Sequence, residues 1–135
     1  MSMKWLFAVA SALLAGVASA GLFAATTNDL RPFAPLTMNA AWLLPGMIAI
    51  GILLATINSD GIWAAGAMAA AAVVAAVLHG SAIAAPGFAV EPIRTTMINN
   101  GTVQGLAAFL VVLIFGMIGV VAALVARSII GHGDV

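Results

Sequence analysis

The residue best suited to chemistry in this chain is His79, an imidazole inside a long apolar run, while the most polar stretch sets Glu91 three residues before Arg94. An imidazole so placed can ligate the iron of a haem or the magnesium of a chlorophyll. Ala75, four residues earlier, would leave room on that face for a flat ring. The commoner role of a single embedded histidine is a hydrogen bond to a neighbouring helix or reach to the interface. No second embedded histidine supports ligation, because His132 is terminal. Glu91 and Arg94 can form a local ion pair if the backbone between them is helical. In an irregular loop they become two solvated, headgroup-facing charges that offer a polar loop contact, with Glu91 open to a cation or to an arginine of another subunit.

No pair of embedded carboxylates, cluster of metal ligands, nucleophilic triad or phosphate-cradling glycine loop accompanies these residues. Cysteine is absent, which removes disulfides, thiol catalysis and thiolate-bound metals. Catalysis by this chain alone is therefore not expected, although membership of a larger membrane enzyme stays open. Asn100-Gly101-Thr102 matches an N-glycosylation acceptor pattern, but the apolar run that follows would hinder access.

The elements that carry these residues are set by solvent. Of 135 residues, 64% are hydrophobic and only 6% charged, too few charges to cover the surface of a small soluble domain. The eight charged residues, Lys4, Asp29, Arg31, Asp60, Glu91, Arg94, Arg127 and Asp134, all stand at the edges of apolar runs. A bilayer crossing takes about 20 helical residues, so the length allows about four crossings with short connections. The reading is an all-α membrane protein, one four-transmembrane-helix bundle in a lipid bilayer. Its net charge is zero and it has no basic patch, so a nucleic-acid partner is not expected.

The spans fall at about 4–25, 40–57, 62–84 and 103–127, with the main polar connection at 85–100. Lys4, the apolar stretch after it and Ala18-Ser19-Ala20 also resemble a secretory signal peptide, whose cleavage would leave three spans. Continued apolar character through Leu22, Phe23 and Ala24 favours retention. Asp29, Arg31, Pro32 and Pro35 interrupt the chain after the first span, and Thr37 or Asn39 can cap the second. Pro45-Gly46 predicts a kink or re-formed first turn, a defect that occasionally marks a transporter site. Asn58-Ser59-Asp60-Gly61 reads as a tight turn that makes spans two and three antiparallel neighbours. Pro86-Gly87 is expected to end the third span, and Arg127 to snorkel outward from the fourth. Lys4 and Arg127 fall on one side, Arg31 and Arg94 on the other, so basic charge does not orient the bundle. Lys4 directly before the first span favours cytoplasmic termini, and a bacterial or organellar inner membrane is the expected setting.

Small residues four apart recur on these helices: Ala12, Gly16 and Ala20; Gly66 and Ala70; Gly101 and Gly105; Gly119 and Ala123. Such spacing builds a smooth face that lets backbones approach closely. These faces serve either the chain's own bundle or other subunits, in a mixed complex or a homo-oligomer. The expected function is a structural or assembly subunit that stabilises neighbouring helices. A small oligomeric channel or transporter, and a haem- or chlorophyll-binding subunit centred on His79, are the alternatives.

Overall fold

A computed structural model describes residues 3–27, 38–58 and 60–131. These residues form four long helices and no strand: α1 (Met3–Thr27), α2 (Leu43–Ile57), α3 (Gly61–Ala89) and α4 (Arg94–Gly131). Single 3₁₀ turns, Ala40–Trp42 and Glu91–Ile93, lead into α2 and α4. Each of the four helical segments is long and apolar enough to cross a membrane. The protein is an integral, multi-pass, all-α bundle. Asp29, Arg31, Pro32, Pro35, Thr37, Ser59, His132 and Asp134 lie outside the described residues.

Side-chain caps set two of the helix starts. The Asn39 carboxamide oxygen accepts from the Ala41 amide at 3.0 Å, and an Asp60 carboxylate oxygen accepts from the Ile62 amide at 2.9 Å. Each bond satisfies an amide that a helix leaves without an internal partner. Pro45 sits in the first turn of α2, where little backbone bonding is lost, and the change from 3₁₀ to α geometry falls just before it.

Pro86 does not end the third helix. α3 continues to Ala89, and α4 begins at Arg94, so the connection expected over 85–100 contracts to Val90–Ile93. The cause is tertiary packing. A methyl group added at Gly87 would lie 2.7 Å from the Met97 Cβ and 3.1 Å from the Arg94 carbonyl oxygen, so the first turn of α4 is seated directly on the last turn of α3. That contact holds a helix which the proline, lacking an N–H, would otherwise weaken. The 38 residues of α4 extend about 57 Å, against about 30 Å of hydrocarbon. Its first turns, with exposed Thr95, Thr96, Asn99 and Asn100, therefore project beyond the hydrocarbon. The Asn100-Gly101-Thr102 pattern lies within this helix, with Gly101 buried against α3.

α3 and α4 form the central antiparallel pair, with Gly61 beside Leu124 at one end and Gly87 beside Met97 at the other. α1 lies parallel along α3, from Gly16 beside Val74 to Phe23 beside His79. α2 packs chiefly on α4. Spans two and three run antiparallel and touch, but their contact is small, because α2 turns chiefly to the glycine notches of α4 at Gly116 and Gly119. Met47, Leu54, Met68, Val112 and Val120 fill the centre together with the alanines of α3. Leucine, isoleucine and valine side chains on the outside, such as Leu14, Leu53, Val77 and Ile114, are exposed to the surrounding lipid.

Candidate functional site

The helix-packing residues divide into two populations. On α1, Ala12, Gly16 and Ala20 are buried, and a methyl at Gly16 would meet the Val74 side chain at 2.6 Å and the Ala71 carbonyl oxygen at 3.0 Å. Gly101 and Gly105 of α4 face α3, where methyl groups would come 2.5 Å from the Gly80 carbonyl oxygen and 2.9 Å from that of Ala76. Gly119 lies against the Ile48 carbonyl of α2, with Ala123 half-buried one turn on. Gly66 and Ala70 differ. Both are exposed on the outer face of α3, and a methyl at Gly66 would meet nothing within 4 Å.

Four further buried glycines, Gly51, Gly80, Gly87 and Gly116, belong to the interior set and lie outside the four-residue pairs. Gly51 abuts the Gly116 backbone, Gly116 itself accommodates Met68, and Gly80 faces Gly101. Two signals were present: Gly116 lies three residues before Gly119, and Gly80 four residues after Ala76. Without bulk at these places the helix backbones approach closely enough for dispersion to hold them, which is the main force available between helices in lipid.

One end of the bundle is tied by polar side chains. Arg127 does not simply reach outward: its guanidinium donates to the Ala55 carbonyl oxygen at 2.7 Å, in the last turn of α2. That carbonyl belongs to the set a helix terminus leaves unbonded, and the terminus carries partial negative charge. Asn58 is buried beside it in sequence, and its amide donates to Ser11 Oγ of α1 at 3.2 Å and to the Leu54 carbonyl at 3.0 Å. Ser11 in turn donates to the Ala8 carbonyl at 3.0 Å. The local sequence around Asn58 signals only a turn, because its partner lies 47 positions away. Asn58→Leu is expected to destabilise the bundle by about 1 kcal/mol, the scale of interhelical hydrogen bonds in membranes. Ser11→Ala should cost less, since Asn58 keeps Leu54. Denaturant titration in mixed micelles, followed by circular dichroism, measures both.

At the opposite end, Arg94 and Glu91 are ion-paired at 2.6 Å, as their spacing allows in helical backbone. The side chains are 46% and 76% exposed, which limits such a pair to less than about 1 kcal/mol. It is a surface feature of the α4 start.

His79 is 1% exposed and meets Phe23 edge-on, with ring centroids 4.7 Å apart and an interplanar angle of 63°. Ala75 is fully buried, so the space anticipated there for a flat ring is occupied by neighbouring helix. A macrocycle bound at His79 would have to displace Phe23 from the α1–α3 seam. Ser19, fully buried on α1, has no hydrogen-bond partner for its hydroxyl among the described residues. Those residues also contain no group of three or more histidine, cysteine, aspartate or glutamate side chains able to hold a metal ion. Comparisons with protein-family models, curated proteins and solved structures find no match to this chain.

Proposed function

We propose that this protein is a non-catalytic assembly subunit of a membrane protein complex and that it docks a transmembrane helix of another subunit against the outer face of α3. The observation that carries this reading is the contrast between the glycines. Those at the helix crossings are filled by the chain's own helices, whereas Gly66 opens outward with nothing within 4 Å and exposed Ala70 one turn away. A lipid-facing notch of this kind, between exposed Trp63 and Val73, admits a second backbone at close range, and close range is what stabilises helix pairs in a bilayer. A pore through a single copy is disfavoured, since Met47, Met68, Leu54, Val112 and Val120 close the centre with apolar side chains.

The test is native electrophoresis of the protein extracted in mild detergent, followed by identification of co-migrating subunits. Gly66→Leu with Ala70→Leu should release the bundle from its complex while leaving its helicity and unfolding midpoint no lower than in the wild type. A wild-type protein that is a monodisperse monomer in both detergent and lipid would overturn the reading.

A further inference from the structure

The α1–α2 side of the bundle carries a cavity system that the assembly reading does not use. α1 turns its small residues to α3, and meets α2 mainly through Asn58 on Ser11 at one end and Leu22 beside Gly46 at the other. Between those contacts lies an apolar groove of about 390 Å³, bounded by Phe7, Leu14 and Ala18 of α1 and by Ile50, Leu53 and Ile57 of α2. Next to it lies a second pocket of about 270 Å³ whose lining includes Lys4, Asn58, Asp60 and Trp63, and Phe7 and Ile57 border both. The groove runs from Phe7 to Ala18, about 16 Å along the helix, and one leaflet of the hydrocarbon core is about 15 Å thick.

From this geometry we propose that the two pockets form one binding site for a single phospholipid whose headgroup carries both a phosphate and a primary amine. The groove receives an acyl chain, and the second pocket, where Lys4, Asn58 and Asp60 stand among apolar side chains, receives the headgroup at the membrane interface, the depth that Trp63 marks. Charge complementarity selects the head. The pocket presents one cation and one anion, Lys4 for the phosphate and Asp60 for the ammonium. Asp60 caps α3 through one carboxylate oxygen, Oδ1, leaving a second acceptor oxygen on the same group. Phosphatidylglycerol would place its phosphate at Lys4 but has no ammonium to offer Asp60, which is left without a counter-charge. Trp63 of the second pocket shares a face of α3 with Gly66 and Ala70, whereas the groove itself is built from α1 and α2 alone.

Native mass spectrometry of the full chain, released from nanodiscs containing equal phosphatidylethanolamine and phosphatidylglycerol, tests the assignment. One tightly held phosphatidylethanolamine per protein is expected. Lys4→Gln with Asp60→Asn should lower its retention by roughly threefold, as expected for exposed charge contacts, while asparagine preserves the α3 cap. Ala18→Phe fills the groove without altering a charge and should abolish retention. Equal or greater retention of phosphatidylglycerol, non-saturating binding of either lipid, or retention unchanged by Ala18→Phe would overturn the proposal.

Discussion

Replacing Gly51 or Gly119 by alanine is expected to destabilise the bundle by about 1–3 kcal/mol, the range for overpacking a well-filled interior. At Gly51 the added methyl would collide with the Gly116 backbone, and at Gly119 with the Ile48 carbonyl. Backbone cannot swing aside as a side chain can, so α2 and α4 must move apart along their contact. Gly116→Ala is the informative intermediate. Its methyl would meet the thioether end of Met68, a flexible group, and the cost should fall below that of Gly51→Ala. Gly66→Ala sets the other limit: with open space around it, alanine's better helix propensity should leave stability unchanged or raise it by up to about 1 kcal/mol. Unfolding of the four variants in mixed micelles, followed by circular dichroism, should give that order. Equal gains at Gly51 and Gly66 would show that the substitutions act through helix propensity and not through packing.

The same contrast explains how far the sequence could be read. Span number follows from charge placement because burial of charge in hydrocarbon is costly wherever the helices end up in the bundle. Which small residues meet is a relational property. Gly66-Ala70 and Gly101-Gly105 have the same spacing, yet one pair faces outward and the other is buried on Gly80 and Ala76, because rotation about the helix axis is set by the partner. The extent of α3 is set by a partner in the same way. Pro86 is a local signal for helix ending, and it is overridden by Met97 and Arg94 packed on Gly87 from a helix that begins later in the chain. At His79 the sequence shows an imidazole in an apolar run. Only the fold places Phe23, 56 positions earlier by subtraction (79 − 23), against its ring.

Arg127→Met is expected to weaken the bundle by about 1–2 kcal/mol, more than an ordinary surface charge, because the guanidinium supplies a charge-assisted hydrogen bond to a helix terminus. A fully buried bond of this kind would contribute more, but Arg127 is itself exposed and water or headgroups compete for it. Ala55 gives the contact its leverage. Its side chain is fully buried, and its carbonyl lies in the last turn of α2, so losing the guanidinium leaves a polar oxygen at the α2–α4 junction to find another donor. Arg127→Lys should recover part of the loss, since an ammonium keeps the favourable charge without the planar fork. The carbonyl-carbon chemical shift of Ala55 separates this local role from general membrane anchoring. It should move in Arg127→Met, whereas an arginine engaged only with headgroups would leave both that shift and the unfolding free energy unchanged. Asn58 still holds the α2 C-terminus to α1 in the variant, so the amide protons of the last turn of α2 should exchange faster than in the wild type without the helix detaching, while those of α3 are unchanged.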